Sequence, residues 1–171
     1  SLPPFVAHWL IKEEPDHYAW DDLVRDGKTQ WEGVHNALAL RHLKAMRPGD
    51  RAMFYHTGSE RSCVGIIEVS GTPHSDPKDD RGSWSVEVRP VRPLHRPIPL
   101  AEVKADPALA GFDLVRISRL SVLPVSTDQW ARLLAHEDAA AWPPTRPTEA
   151  RAGRGRGTAR RPRSTAARRR R

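Results

Sequence analysis

Apolar positions fall into short runs separated by turn residues, never into one long periodic stretch. Residues 6–11 are apolar except for His8 and read as a strand, with Pro15 ending the segment. Trp20, Leu23 and Val24 then suit a short helix stopped near Gly27. A second helix opens at Asn36, a natural N-cap, carries Leu40, Leu43 and Met46, and closes at Pro48 and Gly49. Residues 51–57 and 62–70 predict two strands joined by the turn-like Gly58, Ser59 and Glu60, an antiparallel hairpin. Residues 83–89 alternate, with Trp84, Val86 and Val88 on the core side and Ser85, Glu87 and Arg89 opposite.

Pro90, Pro93, Pro97 and Pro99 argue against a long strand or helix after that point. Residues 100–104 fit one or two helical turns, and 119–123 a last short strand. The final helix has the clearest local signature: Ser126 and Gln129 form a capping box, and Val125 and Trp130 take the staple positions around it. Five or so short strands with interspersed helices predict a β-dominated α+β domain, a small partly closed barrel. A βαβ arrangement fits less well, because helices and strands do not alternate regularly.

Charge divides the chain in two. Net charge is +7, yet ten of the 28 basic residues are arginines within 151–171, where no acidic residue occurs. The rest carries 18 basic against 21 acidic side chains and is weakly negative. A folded domain over residues 5–137 and a tail over 138–171 follow from this shift. The arginine-rich part has no large apolar side chain, so disorder is expected. Its natural partner is a polyanion, with Arg151, Arg154, Arg156, Arg160, Arg161 and Arg163 meeting phosphates regardless of sequence.

Candidate chemistry narrows the class mainly by what is missing. No phosphate loop, dinucleotide fingerprint or nucleophile elbow occurs. Eight histidines include no His-x-x-x-His pair, and the single Cys63 reads as a buried hydrophobe, so neither metal nor cofactor is expected. Neither a secretory signal nor a membrane span is visible, which fits an intracellular protein, cytoplasmic or associated with nucleic acid. The expectation is a non-enzymatic, monomeric binding module.

The motifs in order add a family. Trp9–Asp16 (WLIKEEPD), then Asp21, Asp22 and Leu23, then Trp31-Glu32-Gly33-Val34 with Asn36, resemble the opening of the EVE domain. Gly49-Asp50, Phe54-Tyr55-His56-Thr57, Pro97–Glu102 (PIPLAE) and Arg119-Leu120-Ser121-Val122 continue the resemblance, which spans roughly residues 8–135. It implies a PUA-like barrel, similar to the YTH readers of methylated adenine, that recognises a modified base in DNA or RNA. The same resemblance would place Trp31 in the pocket wall beside Gly33 and Val34. Lys12, Glu13, Glu14, Asn36, Tyr55, His56 and Thr57 would lie around the edge. Where family members often read Arg-Asn-Tyr-Gln-Ala-Arg, this chain has His35 to Leu40, so Arg41 and His42 are the partial substitutes, Arg41 for a backbone contact.

Taken residue by residue, several of these have two uses. Trp31 lies in a polar, Gly-containing stretch between helices and suits a stacking platform; Trp84 heads an alternating strand and suits the core. Asn36 serves equally as N-cap or as partner to a base edge. Lys12 suits a phosphate or a solvated strand position, and His56 and Glu14 suit local structure as well as a ligand. Related ASCH proteins include nucleoside amidohydrolases that use Lys, Thr and Glu, so Lys12, Thr57 and a nearby glutamate offer an alternative hydrolytic reading.

Overall fold

The computed structural model describes residues 6–75, 77 and 82–139. The chain runs through β1 (His8–Glu13), α1 (Trp20–Asp26), β2 (Thr29–Val34), α2 (Ala37–Lys44), β3 (Arg51–His56), β4 (Ser62–Val69), β5 (His74–Ser75) and β6 (Trp84–Pro99). It continues through α3 (Leu100–Ala105), a 3-10 turn at Pro107–Leu109, α4 (Asp113–Arg116), β7 (Val122–Val125) and α5 (Thr127–Asp138). The described strands form one mixed sheet in the order β2-β6-β4-β3-β1-β7, with β5 paired to β6. This is the expected β-dominated fold, a sheet curled into a half-barrel and flanked by short helices. No helix among the described residues is long and apolar enough to cross a membrane. The arginines of 151–171 lie outside the described residues.

β3 and β4 make the expected hairpin. The central event is less local: β1 pairs in parallel with β3, Lys12 beside Tyr55 and Glu13 beside His56. A parallel pair needs a long crossover, and here it contains α1, β2 and α2, with β2 leaving to pair with β6. Asp50 pins the start of both strands. Its buried carboxylate accepts from the Trp9 indole at 2.9 Å, the Arg47 amide at 3.0 Å and the Ala7 amide at 3.2 Å. Those bonds offset the cost of burying the charge.

Phe54, fully buried on β3, is the hub of the aromatic core. Trp20, Trp31 and His56 surround its ring with centroids 5.6–5.8 Å away. The benzo ring of Trp20 packs against Gly65 of β4, where a Cβ would come within 2.4 Å of the indole. Glycine is required there by contact, not by backbone angle.

The proline run does not stop the strand. β6 continues for 16 residues, through Pro90, Pro93, Pro97 and Pro99. β2 pairs only with Trp84–Val88 of it, so the proline half has β4 on one side and an unpaired edge on the other among the described residues. Two register irregularities interrupt the β4–β6 ladder. An open edge and bulges are where a missing N–H is tolerated. Trp84 also departs from expectation: it is only partly buried, and Lys44 lies over its ring at 4.8 Å. The last strand begins at Val122 rather than Arg119, because Leu120 closes a turn onto Ile117.

α5 starts as predicted. The Ser126 hydroxyl accepts the Gln129 amide at 3.0 Å, and the Gln129 side chain accepts the Ser126 amide at 2.9 Å. Charged pairs then fasten the helix to the domain: Arg132 to the buried Asp106, and Glu137 to Arg92 of β6. His136, also buried, lies between Glu102 at 2.6 Å and Asp106 at 2.7 Å.

Two expectations follow for α5. Ser126→Ala should lower stability by about 0.5–2 kcal/mol in urea titrations, since an N-terminal amide loses its acceptor. The Arg132 guanidinium holds Asp106 well below the usual carboxylate range, and Arg92 lowers Glu137. Both return to about pH 4 on unfolding, so their stabilisation is complete above about pH 5 and lost as pH falls toward 2. Melting curves should drop most steeply in that window, and less steeply in Asp106→Asn. A flat profile there would contradict the role given to these pairs.

Candidate functional site

Side chains alternate along β1 and β3, so the expected site residues divide between two faces of the sheet. Glu13 and His56 face one way, Lys12 and Tyr55 the other. Two separate concavities result.

The first, about 230 Å³, is lined by Glu13, His17, Tyr18, Thr29, Gln30, Trp31 and Glu32. Trp31, on β2 between α1 and α2, contributes the small exposed part of its indole to the wall. The rest of the indole is buried, edge-on to Phe54 at 5.7 Å, so Trp31 belongs to both core and cavity. Gly33, with φ at +81°, makes the irregularity that lets the strand turn after Trp31, while Val34 re-enters the core. Glu13 Oε2 meets His17 Nδ1 at 2.6 Å, and that bond raises the pKa of the exposed His17. Tyr18 donates its hydroxyl to Asp26 at 2.8 Å, and burial raises its pKa. Glu13 and Glu32 make the mouth acidic. An aromatic wall beside carboxylate acceptors suits a flat ring bearing an exocyclic amino group, and does not suit a phosphate.

The second, about 250 Å³, includes Lys12, Tyr55, Thr57, Arg61, Lys104 and Ser118. Lys12 donates to the Ser118 carbonyl at 2.9 Å and lies 5.6 Å from the Tyr55 ring centre. Burial lowers the Lys12 pKa and pushes that of Tyr55 up to about 12. Cys63, fully buried, is likewise pushed up to about 12, as an inert core thiol should be.

Other expected residues serve the frame. Asn36 is exposed and caps α2, accepting the Ala39 amide at 3.0 Å. His56 is buried, accepting the Trp20 amide at 3.0 Å and facing Glu60 at 2.8 Å. Glu14 accepts the Thr57 hydroxyl at 3.1 Å and packs on Gly58. Arg41 is exposed on α2, away from both cavities. His17, Tyr18, Gln30, Arg61 and Lys104 were not anticipated. Tyr18 and Gln30 flank motif residues and could have been reached from them; Arg61 and Lys104 carry no local signal. Among the described residues, His95, Glu137 and Asp138 bring metal-type ligand atoms together, but Arg92 and the His95 amide already occupy Glu137.

The family model for the EVE domain matches residues 7–136. Thymocyte nuclear protein 1 of Homo sapiens is 32% identical over 172 aligned positions, which cover 80% of this chain and 76% of that protein. A protein from Rhodopseudomonas palustris, solved by NMR, superposes with a TM-score of 0.72 at 41% identity, over 77% of this chain and 92% of the other. The human THYN1 protein, solved in complex with 5-methylcytosine-containing DNA, superposes with a TM-score of 0.71 at 27% identity, over 79% and 99%.

Trp31 has a consequence for stability as well as for the cavity. Trp31→Ala should cost about 3–5 kcal/mol, the range for truncating a buried aromatic, whereas Trp31→Phe should unfold close to the unaltered chain. Chemical denaturation compares them, and an alanine variant as stable as the parent would place the indole outside the core.

Proposed function

Because the chain belongs to the EVE domain family, we infer that it binds nucleic acid and recognises a modified base without catalysing a reaction on it. The base class that fits is an amino-bearing ring, 5-methylcytosine in DNA first, since the human THYN1 protein has been solved with DNA containing it. One observation carries the reading: Trp31 and Glu13, from different strands, meet in one concavity. Stacking in duplex DNA hides the face of a base, so a pocket that uses an aromatic platform must take the base out of the stack. Trp31 then offers the face a stacking wall, and Tyr18 contributes further aromatic lining. Glu13 Oε1 accepts from the exocyclic amine, while His17 holds the other carboxylate oxygen and fixes the group. The arginines of 151–171 add phosphate neutralisation that does not depend on sequence.

A hydrolytic reading has one observation in its favour. Thr57 is hydrogen-bonded to Glu14, and Lys12 lines the same cavity as Thr57. The Lys12 ammonium, however, is engaged by the Ser118 carbonyl. Product release from N4-acylated cytidine, followed by chromatography, would favour hydrolysis; intact substrate favours the reader.

The decisive comparison is affinity for matched oligonucleotides with and without 5-methylcytosine. The full chain should prefer the modified one, and Glu13→Gln should lower affinity by about 1–3 kcal/mol, roughly five- to a hundredfold. Equal affinities for both oligonucleotides would overturn the proposal.

A further inference from the structure

The concavity on the Lys12 face has an imbalance that the base-reading site does not use. Three cations from distant parts of the chain line it: Lys12 from β1, Arg61 from the β3–β4 turn and Lys104 from α3. Among the described residues, no carboxylate pairs with any of them. Two carboxylates of neighbouring segments have other partners, Glu60 with His56 and Glu14 with Thr57. Solvated lysines need no partner, but Lys12 is half-buried, and its bond to Ser118 leaves further N–H donors.

Arg61 adds an independent observation. It is the one non-glycine residue with positive φ among the described residues, at +42°. A left-handed backbone strains an L side chain. Here the turn is held in place by the Leu100 amide, which donates to the Arg61 carbonyl at 2.8 Å. That bond ties the turn to α3, which carries Lys104. A neighbouring hollow of about 300 Å³ is lined by Arg61 and Lys104 as well, so the two cations border both.

We propose that this second concavity is a phosphate site, in which Lys12, Arg61 and Lys104 neutralise the anion and Ser118 lies at hand as a hydroxyl donor. Only the geometry of this face is needed for it. The site extends the modified-base reading if the phosphate belongs to the DNA backbone, and stands without that reading if it belongs to a free nucleotide. Tyr55 stays a neutral phenol at working pH, so it adds no repelling charge.

The test pairs Arg61→Gly with Lys104→Gln. Glycine relieves the positive φ while removing the guanidinium, and both residues are exposed, so the double variant should fold. NMR titration of the full chain with inorganic phosphate, at constant ionic strength against a chloride control, reads binding residue by residue. Saturable shifts are expected at Arg61, Leu100 and Ser118, with at least tenfold weaker binding in the double variant. Shifts confined to 151–171, or unchanged binding in the variant, would overturn the proposal.

Oligonucleotide binding then identifies the source. For a backbone phosphate, the variant loses affinity equally for modified and unmodified DNA, and its salt slope falls by about 0.7–0.9 for each phosphate no longer neutralised. For a free nucleotide, only nucleoside monophosphate binding weakens. Loss of the preference for the modified base, with common affinity intact, would instead make this the base pocket and sink the assignment. Failure of the reader itself would appear as no preference in the unaltered chain, whatever phosphate does.

Discussion

The parallel pairing of β1 with β3 is the constraint on which the candidate sites depend. It sets Lys12 beside Tyr55 and Glu13 beside His56, and strand alternation then sends each couple to a different face. The pair needs an anchor at its start, because its two strands are joined by a long crossover rather than a turn. Asp50 supplies it, drawing the Trp9 indole and the Ala7 amide to the mouth of β3. A one-residue slip would exchange the faces of Glu13 and Lys12, mixing an acidic cavity with a basic one.

The two faces differ in chemical character. On one, Phe54 gathers Trp20, Trp31 and His56 into a rigid aromatic block, and the exposed part of Trp31 becomes the wall of an acidic hollow. A stacking wall that is also core is held in one orientation, which favours discrimination between rings over adaptability. On the other face, cations with no carboxylate partner among the described residues line the cavity around Lys12 and Tyr55. A polyanion that is recognised through one of its bases presents both kinds of surface.

Local chemistry was legible where it is short-range. The α2 cap at Asn36, the α5 capping box at Ser126 and Gln129, and the β3–β4 hairpin could be read because their partners lie within a few residues. The parallel pair could not, since its partners are 43 positions apart in the chain. Prolines were read as breakers because sequence does not reveal which half of β6 has a free edge. Trp84 was misplaced for a related reason, and the core contacts of Trp31 went unread beside its cavity role. Polar neighbours hide that Trp31 sits on a strand over Phe54, and alternation hides that Trp84 shares its side with the Lys44 ammonium. Of the candidate site, Trp31 and Glu13 came from motif resemblance; Arg61 and Lys104 required the fold.

A structure of the chain with an oligonucleotide carrying 5-methylcytosine tests the central claim most directly. The modified ring is expected to be extruded from the duplex and stacked on Trp31, with its amino group at hydrogen-bond distance from Glu13. A ring lodged against Tyr55 and Lys12 instead, or one still stacked in the duplex, would contradict that claim.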